Sequence, residues 1–219
     1  KPFIISVYPL RPKHMKKFFT IIFVFLFSYS CWAGDIVFTL VNSDGNNGFA
    51  FVATTNISAG TVIYFTDNEW TGGNAGTAFN TGEGIIAYTV PVGGISEGTV
   101  VSIDTDAETS SNGGTVVETG SVDLLNGVEP VYAYYGTNST TVTEILSVFR
   151  DAPFLAGEDP TGNSLAPNLV IIALTSDQDN AQYNGTRNFT TLADAITALT
   201  TAGNWTQTDG TGDQSISPN

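Results

Sequence analysis

From residue 35 onward the chain is written in short alternating runs. Val62-Ile63-Tyr64-Phe65-Thr66 sets the pattern: Ile63 and Phe65 fall on one face of a strand, and Val62, Tyr64 and Thr66 on the other. A turn at Ala59-Gly60 feeds this run, and the corner Asp67-Asn68-Glu69-Trp70 ends it. The opening recurs. Ile57-Ser58-Ala59-Gly60-Thr61-Val62 is echoed by Ile95-Ser96-Glu97-Gly98-Thr99-Val100, which runs into another strand and ends at Asp104-Thr105-Asp106. Further strands are expected at 35–41, 49–53, 85–90, 115–118, 131–135, 144–149 and 169–175, with Asn-, Asp- and Gly-rich turns between them. The first two read as a hairpin around 42–48. Strands of ~5–6 residues at this spacing, without helical runs between them, predict an all-β sandwich rather than βαβ units. Phe38, Phe49, Phe51, Ile63, Phe65, Ile86, Val101 and Ile171 are expected to share its core.

One short C-terminal helix interrupts the pattern. Leu192, Ile196 and Leu199 recur at i, i+4 and i+7, Thr191 stands at the N-cap with Asp194 three residues on, and Gly203 supplies a stop. Trp205 follows and is expected to fold back over the sandwich. Residues 207–219 are polar and Gly- and Ser-rich, and read as a flexible tail. No linker divides the stretch 34–206, which is expected to be one domain.

The N-terminal end is of another kind. Met15-Lys16-Lys17, the apolar run from Phe18 to Phe27 and the exit from Ser28 to Ala33 have the three parts of a secretory signal peptide over 15–33. Residues 1–14 then read as translated upstream of the start. Cys31 and Ala33 are small enough for signal peptidase at the −3 and −1 positions of a cut before Gly34. The apolar stretch falls short of the ~20 residues of a membrane span. Lipidation at Cys31 is the other way such a leader is processed, and would tie the protein to a membrane.

Cleavage there would change the chemistry more than the length. Five of the seven basic residues precede Gly34 and all 21 acids follow it, leaving Arg150, Arg187 and a formal charge of −19. The single His, Cys and Met also precede the cut. A chain of this kind has no imidazole acid–base chemistry, no Ser-His-Asp or Cys-His nucleophile, no lysine Schiff base, no His/Cys metal site and no disulfide. Nucleic acid is excluded as a partner by the charge. Divalent cations and polar glycans suit it better.

The phrases Gly34-Asp35-Ile36, Gly48-Phe49-Ala50-Phe51-Val52, Gly60-Thr61 through Trp70, Thr81-Gly82-Glu83-Gly84 and Asn204-Trp205 resemble a module of secreted bacterial proteins. It is similar to the N-terminal domain found ahead of extracellular nucleases, calcium-binding repeats and cell-surface sorting tails. Its strand order resembles the lamin-tail type of immunoglobulin-like sandwich. The resemblance spans nearly all of 34–206 and implies an extracellular or bacterial cell-surface β-sandwich. Its phrases are strands and turns, so no nuclease activity comes with it.

Candidate chemistry is therefore confined to carboxylates, amides and aromatics. Asp67, Asn68, Glu69, Trp70, Asn74, Phe79, Asn80 and Glu83 combine an aromatic platform with polar partners for sugar hydroxyls, on the longest loop at one end of the sandwich. The bland alternative is that Trp70 and Phe79 cap the core. Asp177, Asp179 and Asn180 are a candidate Ca²⁺ group, with three oxygen donors against the ~6–8 that Ca²⁺ takes. Asp44 to Gly48 lacks the acids of an EF-hand loop and reads as an Asx-rich turn. Asp104 and Asp106 share strand spacing but lie among polar neighbours, as in a solvated corner. The expectation is an acidic, secreted binding or adhesion module without catalysis, its partners polysaccharide or other cell-surface components. A carboxylate-based extracellular hydrolase or lyase, and a structural spacer of a surface assembly, are the alternatives. Intact-mass measurement on exported material checks the leader. A chain starting at Gly34 is expected, and a lipid on Cys31 would refute it.

Overall fold

The computed structural model describes residues 34–73, 78–124, 130–151, 153–174, 178–209 and 213–217. Their strands are β1 (Ile36–Asn42), β2 (Gly48–Ala53), β3 (Val62–Thr66), β4 (Ile85–Thr89), β5 (Val100–Asp104), β6 (Thr109–Ser110), β7 (Thr115–Thr119), β8 (Val131–Asn138), β9 (Thr141–Arg150), β10 (Val170–Ala173), β11 (Asn180–Tyr183) and β12 (Trp205–Thr208), with helix α1 at Leu192–Leu199. They form two six-stranded sheets. Sheet 1 runs β12-β11-β1-β2-β5-β6, and sheet 2 runs β10-β9-β8-β3-β4-β7. The described pairings are antiparallel except β9 with β10, which run parallel. The fold is an all-β sandwich, as the alternation predicts.

The repeated hexapeptides turn out to be the crossovers between sheets. The first carries the chain from β2 to β3, and the second returns it from β4 to β5. They meet as a pair. Ile57 and Ile95 each donate to the other's carbonyl at 2.8 Å, and both side chains are buried. In each turn the threonine N–H reaches back to the serine carbonyl, Thr61 to Ser58 at 3.2 Å and Thr99 to Ser96 at 3.1 Å. Gly60 and Gly98 sit at φ +77° and +81°, a region open to glycine but strained for other residues.

The inner faces of the two sheets build one core around phenylalanine. Phe49 and Phe65 bring residues from opposite sheets to 4.5 Å between ring centroids, and Phe51 lies 5.7 Å from Phe65 and 5.8 Å from Tyr88. Phe38, Phe49, Phe51, Ile63, Phe65, Ile86 and Val101 all belong to it. Ile171 does not. Ile172 is the inward residue of β10, while Ile171 pairs with Val148 and is half-buried on the outer face of sheet 2. That outer face carries a second apolar cluster, in which Tyr132, Tyr134, Val142, Ile145 and Val148 lie beneath Trp70, Ala78 and Ala166.

The helix starts as its cap residues dictate: Thr191 Oγ1 accepts from the Asp194 N–H at 3.1 Å. It ends sooner than Gly203 would place it, with Thr200 as the C-cap. Asn204 and the Trp205 indole donate to the carbonyls of Ala198 and Leu199 at 2.9 and 2.7 Å, so the last turn finds its partners in side chains rather than in a glycine turn. Leu199 is buried in the main core and Ile196 packs against it half-buried. Trp205 joins the same core but does so from a strand, β12, which has no alternating apolar signal. Part of the expected flexible tail is also held: Asn42 donates to the Ile216 carbonyl at 2.8 Å and accepts from its N–H at 3.1 Å, while Gln182 donates to Ser217 O at 2.8 Å.

Denaturant titrations should separate these layers. Phe51→Ala is expected to cost about 3–5 kcal/mol, and Ile172→Ala more than Ile171→Ala. A loss below about 1 kcal/mol for Phe51→Ala, the range of a surface change, would contradict this packing.

Candidate functional site

The corner after β3 is built inward. Thr66, Asp67 and Asn68 are all buried, and their side chains tie three loop segments together. Thr66 Oγ1 donates to the Gly84 carbonyl at 2.7 Å, and Asn68 Nδ2 donates to the same oxygen at 3.0 Å. The Asp67 carboxylate accepts from the Gly84 N–H at 3.2 Å and from the Asp123 N–H at 2.6 Å. Asn68 Oδ1 accepts from the Glu83 N–H at 3.3 Å. Gly84 is required by this latch, because a Cβ there would lie 2.3 Å from Val122 N. Burial pushes the Asp67 carboxyl above its ordinary value of 3.8, and the backbone N–H groups pull it part of the way back.

The corner's aromatics are also turned in. Trp70 is 3% exposed and stacks edge-on against Phe79 at 5.6 Å, and Phe79 lies 5.0 Å from Tyr132 and 5.2 Å from Tyr134. Trp70 and Phe79 form an antiparallel bridge, so the described sides of the loop pair over the outer face of sheet 2. The Trp70 indole therefore offers no face to a sugar. What the corner leaves accessible is Asn80, exposed, with its amide donating to the half-buried Glu69 carboxylate, and half-buried Phe79 and Glu83. Asn74 lies outside the described residues.

The candidate calcium group is described only in part. Asp177 lies outside the described residues. Asn180 is fully buried in β11, where its side-chain oxygen accepts from the N–H groups of Ser43 and Asp44 at 3.2 and 3.3 Å. That amide holds the β1–β2 loop. Among the described residues no three His, Cys, Asp or Glu side chains are grouped to hold a metal. The acids at the end of β5 do turn chemistry: Asp104 accepts from the Ala107 N–H at 2.8 Å, and Asp106 accepts from the N–H and the amide of Asn47 at 3.1 and 3.0 Å.

A roomier opening lies elsewhere, on the outer face of sheet 1. Strand register puts Leu40 beside Ala50 and Val52 beside Val100, and these side chains floor a groove of about 440 Å³. Phe189, Leu192 and Ala195, from α1 and the segment before it, form its other wall. Arg187 and Glu97 line it too, as the charged residues of an otherwise apolar and threonine-rich surface. A smaller groove of about 250 Å³ adjoins it at Leu40 and runs under Ser215 to Ser217. Residues so far apart in the chain make no motif. The one sequence signal was Arg187 itself, one of two basic residues after Gly34.

Comparison with protein-family models, with curated proteins and with solved structures finds no match to this chain.

The latch generates a signed pH prediction. Asp67→Asn sets an amide N–H against a backbone donor and should cost about 1–3 kcal/mol. A carboxyl whose folded pKa is raised adds stability at low pH and loses it as pH climbs through that pKa. The stability gap between wild type and Asp67→Asn should therefore narrow with rising pH above 3.8. A widening gap would show that the backbone hydrogen bonds outweigh burial.

Proposed function

We propose that this chain is a secreted or cell-surface binding module without catalytic chemistry of its own, and that it takes its ligand in the groove on sheet 1. The observation that carries the reading is the contrast between that groove and the buried acids. The groove is roomy and mostly apolar, within the ~300–1,000 Å³ range of small-molecule sites. The buried carboxylates among the described residues are Asp67, Asp151 and Glu158, and each accepts backbone N–H groups from its own loops. Asp151 takes the Gln178 N–H at 3.0 Å and Glu158 the Leu155 N–H at 2.8 Å. A hydrolase or lyase working through carboxylates needs two of them facing one cleft. Glu97 is the single acid lining the groove. The extracellular placement rests on the leader-like composition of 15–33.

A second reading gives a neutral or cationic polysaccharide to the corner after β3. It is favoured by the Asn80–Glu69 pair beside the half-buried Phe79 ring, which together offer hydrogen bonds and an aromatic edge.

A neutral solvatochromic dye tests the groove, and polysaccharide incubation tests the chemistry. The dye should gain fluorescence on the wild type and lose that gain on Ala195→Trp, which fills the groove from the helix. Neutral, cationic and anionic polysaccharides should release no soluble sugar. An undiminished gain on the variant would remove the groove from the reading, and sugar release would make the protein an enzyme.

A further inference from the structure

Arg187 is an odd residue for this chain. Residues 34–219 hold 21 acids and two arginines. Arg150 is occupied, with its guanidinium 4.7 Å over the Phe154 ring. Arg187 lies on the exposed segment between β11 and α1 and makes no ion pair or hydrogen bond among the described residues. A cation surrounded by surplus carboxylate would ordinarily take one as a partner. Here it stands at the groove instead, and the groove's Glu97 is not paired with it.

Two further polar features belong to the groove. Tyr183, which also lines the groove, has its phenol pushed up by burial, and the Arg187 charge holds it lower than burial alone would. Thr39, from the neighbouring strand β1, lines the groove with a buried hydroxyl that has no hydrogen-bond partner among the described residues. The apolar floor of Leu40, Ala50, Val52 and Val100 asks for a hydrocarbon body. A free guanidinium asks for an anionic oxygen, to which its planar fork can donate two parallel hydrogen bonds.

We infer that the sheet 1 groove binds a small amphipathic monoanion, such as a medium-chain fatty acid, with its hydrocarbon body on the β1–β2–β5 floor and its carboxylate on Arg187. The inference rests on the groove reading above and adds the ligand class. Glu97 also lines the groove and selects for a single negative charge, since a second one on the ligand would meet its carboxylate. The net negative charge of the surface works against anions at long range, and salt screens that repulsion over ~8–10 Å at physiological strength. The contact at Arg187 is then what discriminates.

Calorimetric titration of the full chain with decanoate, decanol and decyltrimethylammonium tests this. Decanoate should bind one to one and at least about tenfold more tightly than decanol, the margin of one charge-assisted contact. Decyltrimethylammonium should bind more weakly than either. Arg187→Gln should narrow the decanoate-over-decanol margin to within about twofold at an unchanged melting temperature. Ala195→Trp should abolish decanoate binding, and Val100→Phe blocks the same groove from the floor should the first variant not fold. Equal binding of acid and alcohol to the wild type, or a margin that survives Arg187→Gln, would overturn the ligand class while leaving the groove reading in place. Decanoate binding that survives both blocking variants would overturn the site, and the groove reading with it.

Discussion

Two hydrogen bonds between Ile57 and Ile95 join the only places where the chain passes from β2 to β3 and from β4 to β5. Each bond contributes about 1 kcal/mol net, so their importance is geometric. They fix the two crossovers side by side and so hold β3 and β5 in opposite sheets, at the ~10 Å spacing that face-to-face sheets require. The phenylalanine layer of Phe49, Phe51 and Phe65 fills that spacing, and a shift at either turn would misalign it. The repeated hexapeptide is the sequence form of this constraint: an isoleucine to bury, a glycine to turn on, and a threonine N–H to close the turn.

With the core fixed, the two outer faces are covered differently. Sheet 2 is overlaid by rings, as Trp70 and Phe79 lie across Tyr132 and Tyr134. Among the described residues, sheet 1 is covered by α1 and by the segment 213–217. The groove beside α1 is floored by Leu40, Ala50, Val52 and Val100.

Most of the strands could be read because one side of each faces the core. Ile63 and Phe65 declare their face, and so do Phe49 and Phe51. Parity became ambiguous where both sides are buried, so that Ile171 and Ile172 look alike in sequence although they face different layers. Strands β11 and β12 carry Asn180, Gln182, Thr206 and Gln207, which read as loop. Asn180 and Gln182 are buried because the β1–β2 loop and the C-terminal segment supply partners from far along the chain. Trp70 raised the same difficulty. An aromatic in a polar loop looks like a platform until the loop is seen folded onto the outer face of a sheet. The groove draws on positions from Thr39 to Leu199, so no window of sequence contains it.

The order of strands has a consequence for when the protein can fold. Sheet 2 is assembled from residues 62–173, and its longest-range pairing joins Tyr64 of β3 to Tyr134 of β8. Sheet 1 joins the first strand to the last ones: Asn42 pairs with Asn180, and its side chain bonds Ile216, 174 residues away. Loop closure over such separations makes folding slow. Sheet 2 can therefore form while sheet 1 is incomplete, with Ile63, Phe65 and Ile86 bare on its inner face. The core is unfinished until Trp205 and β12 have emerged from the ribosome. Until then the bare inner face of sheet 2 is apolar surface that a chaperone could hold.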